Sequence, residues 1–238
     1  MLRPQISVAV ATYNMSRFLP GALASLFRQT LPQERFEIIV VDDGSTDNTA
    51  TVLSRYSGRI QVIRQARRGL VASVNAALCR ARGRYFVRVD ADDQAAPDML
   101  FLGCRMLQAN PSAACVVSDH MEIRNRRRCR KKVDPQDIYT LIACGTMFPT
   151  ALLRKVGGYR PLYWEEYDLY LRLRPFGEFL YLPLPLYLYR KHDQSMTSKL
   201  EARRQGWREL VSCWDPETLR SVGRSQELEE LILEGVAG

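Results

Sequence analysis

The chain has no apolar run approaching the ~20 residues that a membrane-spanning helix needs. Its opening, Met1-Leu2-Arg3-Pro4-Gln5, passes straight into a strand-like segment, so no signal peptide is expected. Six cysteines (Cys79, Cys104, Cys115, Cys129, Cys144, Cys213) are scattered without a Cys-x-x-Cys pair. That pattern argues against a zinc or disulfide framework and for reduced thiols in a cytoplasmic protein. Neither Gly-x-Gly-x-x-Gly nor Gly-x-x-x-x-Gly-Lys-Ser/Thr occurs. Any bound phosphate must then be held by carboxylates with a metal, not by a glycine-rich loop.

Apolar residues make up 46% and charged residues 25% of the 238, the balance of an ordinary globular protein with a substantial core. The net charge is +8, but seven basic residues lie together: Arg124, Arg126, Arg127, Arg128, Arg130, Lys131 and Lys132. Removing these seven charges leaves +1. The basicity is therefore local, and no nucleic-acid partner is expected.

Residues 6–11 (Ile-Ser-Val-Ala-Val-Ala) read as a strand that ends in Thr12-Tyr13-Asn14. Residues 18–29 carry Leu19, Leu23, Leu26 and Phe27 at helical spacing. A second strand, 36–41, ends in Asp42-Asp43-Gly44-Ser45-Thr46-Asp47, where Gly44 permits a turn and the polar residues cap a helix reaching about residue 57. A short strand at 60–63, a helix at 70–82 and a strand at 84–90 follow. Such alternation predicts a parallel sheet wound by right-handed crossovers, which binds ligands at the carboxyl ends of its strands. Three of those ends carry polar clusters. The last holds Asp90, Asp92 and Asp93, which repel one another unless a cation or strong donors intervene. A hard divalent ion shared with phosphate oxygens would serve; a solvated acidic turn capping a helix near Pro97 is the alternative.

Downstream, 112–118 reads as a strand and 121–133 as a basic excursion, an edge hairpin. Residues 165–174 form a helix with Leu169 and Leu173 inward and acidic residues in its first turn. Pro183 and Pro185 argue against a regular central strand across 179–189, leaving an extended segment that leads to a short strand at 186–190. From Lys199 the chain is helical, and Leu228, Leu231 and Ile232 give it an amphipathic end to pack on the domain or on a partner.

Several segments in the same order resemble the family 2 glycosyltransferases. They are Val-Ala-Val-Ala-Thr-Tyr-Asn (8–14), Val-Val-Asp-Asp-Gly-Ser-Thr-Asp (40–47), Gly69-Leu70 with Asn75, and Val-Asp-Ala-Asp-Asp (89–93). Gly157-Gly158-Tyr159-Arg160, the Glu165-Glu166 helix and Tyr189-Arg190-Lys191-His192 through Thr197 continue the series. The resemblance implies an α/β fold: one GT-A, Rossmann-like domain with a mostly parallel central sheet flanked by helices. Residues 1–118 would be its nucleotide-sugar half and 119–198 its acceptor half, with a helical extension at 199–238.

It also implies roles. Ala11 and Tyr13 would lie at the nucleotide, Tyr13 stacking on the base, and Asp43 would accept from a uridine-like base. Asp90 would lie near the ribose or metal, and Asp92 would coordinate Mg²⁺ or Mn²⁺ at the diphosphate. His192 would be a third metal ligand or a donor to the diphosphate. Glu166 stands where the family more often has Asp as catalytic base. Gly145, Thr146, Glu165 and Arg190 would lie on the acceptor side.

The implied activity is inverting, metal-dependent transfer from a UDP-sugar to a hydroxyl of a glycan or lipid-linked acceptor, in cell-surface polysaccharide synthesis. The alternative is a non-catalytic nucleotide-sugar-fold or nucleic-acid-binding module, for which only the basic run speaks. That run is a solvated loop, a contact for anionic lipid on the cytoplasmic membrane face, or a site for a phosphorylated or acidic acceptor.

Overall fold

A computed structural model of the chain describes residues 3–125, 127–192 and 199–236. Arg126 of the basic run and residues 193–197 of the last motif lie outside the described residues.

The expected alternation is present. β1 (Ile6–Thr12), β2 (Phe36–Asp42), β3 (Gln61–Arg64) and β4 (Tyr85–Arg88) lie parallel in the order β3-β2-β1-β4. The connections carry α1 (Leu19–Phe27), α2 (Thr49–Ser54) and α3 (Leu70–Arg80). Register sets Thr12 beside Asp42, so the polar ends of β1 and β2 are neighbours. Strand parity then divides the apolar residues between two layers. Ala9, Ile39, Val41 and Phe86 meet Val74, Ala77 and Leu78 of α3. Ile6, Val8, Val10, Ile38, Val40 and Val87 meet Leu19, Leu23 and Leu26 of α1, together with Met99 and Leu100 of α4 (Met99–Ala109). A fully buried side chain of this size contributes roughly 1.5–3 kcal/mol.

Past β4 the sheet continues through β8 (Met147–Pro149), β6 (Cys115–Arg124), β9 (Phe179–Arg190) and the short β5 (Gln94–Ala95). β7 (Arg127–Lys131) turns back on β6 as the expected basic hairpin. The prolines do not end β9, contrary to the sequence reading. Its pairing with β6 jumps from Ser118–Leu182 to Asp119–Pro185, so Pro183 and Leu184 bulge outward and are exposed. A bulge leaves residues unpaired, so a proline inside it needs no N–H for the ladder.

α5 (Thr150–Lys155) and α6 (Glu165–Leu173) precede β9. The C-terminal α7 (Leu200–Cys213), α8 (Pro216–Ser221) and α9 (Gln226–Val236) pack on the domain. Trp207, Leu210, Leu219, Val222, Leu228 and Ile232 join the same buried layer as α3. Trp207 stacks on Tyr167 of α6 at 5.4 Å, and Gly206 lets α7 approach, because a Cβ there would sit 2.5 Å from the Tyr163 ring. Among the described residues no helix is long and apolar enough to cross a membrane.

Candidate active site

The carboxyl ends of β1, β2 and β4 border a cavity of about 570 Å³. The turns beyond β1 and β2 are laced together. Asn14, in the left-handed region at φ 53°, accepts through Oδ1 from the Thr46 N–H at 2.8 Å and donates its own N–H to Ser45 Oγ at 3.0 Å. Asp43 lines the cavity, and its carboxylate accepts from Gln65 Nε2 (2.7 Å), the Arg68 N–H (2.9 Å) and the Gly69 N–H (2.8 Å). Burial pushes its pKa up, but these donors outweigh it and hold the group below the usual carboxylate range. A carboxylate offers about four lone-pair positions, so little of Asp43 is left for a nucleotide base. Tyr13 lines the same wall beneath the Arg67 guanidinium, 4.0 Å from its ring, and Arg67 also donates to the Tyr13 hydroxyl at 3.1 Å.

The acidic turn after β4 forms the floor. Buried Arg88 binds Asp90 (Nε–Oδ1 2.6 Å) and Glu165 (Nη1–Oε1 2.7 Å). The Asp90 N–H donates to the Tyr187 hydroxyl at 2.9 Å. Asp93 Oδ1 accepts from the Arg190 N–H at 2.6 Å, while its Oδ2 is buried without a partner among the described residues. Asp92 Oδ2 lies 2.8 Å from His192 Nε2, and Arg190 Nε donates to the Asp92 carbonyl at 3.0 Å. Burial and then the Asp90 charge raise the pKa of Asp92; burial with the Asp90 and Asp92 charges raises that of Asp93 well above the usual range.

Crowded carboxylates and an orphaned Asp93 oxygen fit a hard divalent cation, which takes oxygen ligands. Asp90 and Asp93, with Asp92 and its neighbour His192, are the candidate side chains; of these, Asp90 and Asp93 bring oxygens within 4.8 Å of each other, and Asp90 is also bound by Arg88. Cys144 Sγ lies within 4.8 Å of Asp90 and Asp93 oxygens, but burial and those charges keep its thiol protonated.

At the head of α6, Glu165 is buried in its ion pair with Arg88, whereas Glu166 is partly exposed. Burial and then the Glu165 charge push the Glu166 pKa well above the usual range. Asp168 is fully buried, with Arg172 at 2.7 Å and Trp214 Nε1 at 3.1 Å, so it anchors the helix.

A second cavity, about 1040 Å³, lies between the β6–β7 hairpin, α6 and the C-terminal helices. Glu166, Ile142 and Tyr189 line both cavities. His192 lines the second. Gly145 and Thr146, expected on the acceptor side, line neither. Gly145, at φ 80°, lies against the Tyr187 ring, and buried Thr146 donates to the Ile142 carbonyl and shares a hydrogen bond with the Tyr170 hydroxyl. Their neighbours Ile142, Ala143 and Cys144 take the wall instead. Sequence reasoning missed Arg67 and Arg88. Arg88 had left a signal, since a charge between Val87 and Val89 in a buried strand must be paired.

Residues 7–156 match the sequence profile of glycosyl transferase family 2. The chain is 35% identical over 130 residues to an uncharacterized glycosyltransferase of Haemophilus influenzae, across 53% of this chain and 39% of that protein. It is 25% identical over 223 residues to chondroitin synthase of Escherichia coli, across 88% of this chain and 32% of the synthase. It thus spans 39% and 32% of the length of these two relatives. Among solved structures, TarS 1–349 of S. aureus with UDP-GlcNAc superposes at a TM-score of 0.73 with 22% identity, covering 98% of this chain and 73% of TarS. Mannosyltransferase PcManGT of Pyrobaculum calidifontis, with GDP-Man and Mn²⁺, superposes at 0.70 with 20% identity, covering 100% and 81%. Those two likenesses bear on the fold, which is the expected α/β architecture; the profile across most of the chain bears on descent, and the chain belongs to glycosyl transferase family 2.

Proposed function

We propose that the protein transfers a sugar, with inversion, from a nucleoside diphosphate sugar in the first cavity to a hydroxyl of an acceptor in the second. The observation that carries this reading is the position of Glu166, whose side chain lines both cavities. A base there reaches an acceptor hydroxyl from one side and a donor anomeric carbon from the other. Glu166 takes the hydroxyl proton, the acceptor oxygen bonds to the anomeric carbon, and the bond to the diphosphate oxygen breaks. One displacement inverts the centre. A general base works best with a pKa near the working pH, and burial moves Glu166 toward that range.

The surrounding residues divide the remaining work. Tyr13 under Arg67 offers a flat, electron-rich wall to the nucleotide base, and Asp43 shapes that wall by holding the 65–69 loop. Arg88 fixes Glu165 in place, so that the first turn of α6 presents Glu166 in one position. A divalent cation, Mn²⁺ or Mg²⁺, held among Asp90, Asp92, Asp93 and His192, would supply Lewis-acid neutralisation of charge on the leaving diphosphate. Arg190 clamps the turn that carries those ligands. The relatives include a polysaccharide synthase, and we place this chain in the same broad task with a UDP-sugar as the first donor to try. The test is turnover of a panel of UDP- and GDP-sugars with Mn²⁺, read by mass spectrometry of the products. Absence of any turnover, with nucleoside diphosphate binding intact, would leave a binding module instead.

A further inference from the structure

The basic hairpin is not a uniform patch. Along β6, His120, Glu122 and Arg124 are two residues apart and share one face of the strand. Their cross-strand partners on β7 are Lys131, Cys129 and Arg127. Arg128 and Arg130, opposite Ile123 and Met121, fall on the other face, where Arg130 binds buried Asp119 at 2.6 Å. Strand parity therefore splits the run. One part is spent on structure, while Arg124 and Lys131, joined by Lys132, line the second cavity.

The acidic groups of that cavity are largely answered from within. Glu122 is bonded by Lys191 at 2.7 Å, with Lys131 at 3.7 Å, and Glu227 is paired with Arg203. Arg124, Lys132 and, from the opposite wall, Arg224 line the same cavity, and none has an ion-pair partner among the described residues. Charge in the cavity is thus positive and unneutralised.

Two buried polar atoms lie behind its walls. His120 is 5% exposed and Trp164 7% exposed, and His120 Nδ1 and Trp164 Nε1 have no hydrogen-bond partner among the described residues. Trp164, Tyr167 and Trp207 pack as one buried aromatic cluster on the same wall, their faces turned on one another.

Resting on the transferase reading above, we infer that this cavity binds an acidic saccharide acceptor. Its carboxylate or phosphate would lie among Arg124, Lys132 and Arg224, with a hydroxyl at Glu166. The anion is part of the acceptor, and the hairpin recognises it, not a membrane surface.

The probes are a glucuronate-containing tetrasaccharide with its neutral methyl ester, and a sugar phosphate with the free sugar. Binding is read from tryptophan fluorescence and by calorimetry, with transfer from the active donor measured in parallel. At least one acidic probe should bind about tenfold or more tightly than its neutral twin, ~1.4 kcal/mol. That preference should shrink as salt shortens the Debye length from ~10 Å at 0.1 M to ~3 Å at 1 M. The triple variant Arg124→Gln, Lys132→Gln, Arg224→Gln changes only exposed side chains, and a thermal melt verifies its fold. It should lose the preference for the acidic member and leave binding of the neutral one as it was.

Equal binding of acidic and neutral members in both pairs would overturn the inference, as would an unchanged preference in the triple variant. So would a variant whose only defect is lost sedimentation with anionic liposomes, because the run would then be a membrane contact. Equal transfer to acidic and neutral acceptors would leave the transferase standing without an anion-selective acceptor site. Acidic-probe binding lost in the triple variant, with no turnover of any nucleotide sugar, would support the anion site and fail the transferase reading.

Discussion

Arg88 and Asp90, two residues apart at the end of β4, are joined at two points, Nε to Oδ1 at 2.6 Å and Nη2 to Oδ2 at 2.8 Å. The third arm of the same guanidinium reaches Glu165 at 2.7 Å, 77 residues further on. The acidic turn and the head of α6 are thereby tied through one buried cation. Burial works against the charge on Arg88, but the two carboxylates outweigh it and hold the guanidinium protonated. Arg88→Met would strand both. We expect it to lower unfolding free energy by about 3–5 kcal/mol in urea titrations, the usual cost of breaking a buried ion pair from one side. Arg88→Lys should recover only part, because an ammonium cannot make the two-point contact. A stability equal to the parent would show the pairs to be energetically idle.

Asp92 is the carboxylate shared with His192 and the one least committed to holding the turn. Asp92→Asn should therefore leave the fold intact and severely weaken Mn²⁺-dependent nucleotide binding. Calorimetry with a nucleoside diphosphate, with and without Mn²⁺, reads both. Equal Mn²⁺-dependent affinity in parent and variant would remove Asp92 from the ligand set.

Glu166→Gln keeps the shape of the shared wall but not the proton acceptor. Turnover should fall ~10²–10⁴-fold while donor affinity is retained. Asp168→Asn supplies the contrast. Its carboxylate is consumed by Arg172 and Trp214, so the loss should appear first in thermal stability. A Glu166→Gln enzyme turning over at the parent rate would move the base elsewhere.

The raised pKa of Glu166 also has a sign in pH. A carboxylate raised in the fold is protonated, and useless as a base, up to a pH well above 4.5. The acid limb of kcat should accordingly fall well above that value and vanish in Glu166→Gln. Linkage runs the same way. The folded state binds this proton more tightly than the unfolded chain does, so the group destabilises the fold at high pH and the cost is relieved as pH falls through the raised value. Glu166→Gln should then melt higher than the parent at neutral pH. An acid limb at the ordinary glutamate value would refute the burial argument.

Much of this was legible from residue order alone. The alternation of β1 to β4 with α1 to α3 follows from local periodicity, and the three polar strand ends follow from turn chemistry, since both depend on neighbours a few positions away. Asp92 and Glu166 stand in distinctive short motifs, and both line the first cavity. What lay beyond the sequence were relationships set by register and packing. Nothing near Pro183 announces that a bulge against Asp119 will let β9 run on, and the basic run looked like a single feature until pairing with β6 sent Arg130 to Asp119 and Arg124 toward the second cavity. Gly145 and Thr146 lie close to the site in sequence but were drawn into contacts with Tyr187 and Tyr170. The C-terminal helices matched no motif, yet Trp207 carries them onto α6, where they close the wall that faces the hairpin. Strand period and turn propensity are properties of a few consecutive residues, whereas the partner of a buried charge is whatever the fold brings within 3 Å of it, and that was decided only by tertiary structure.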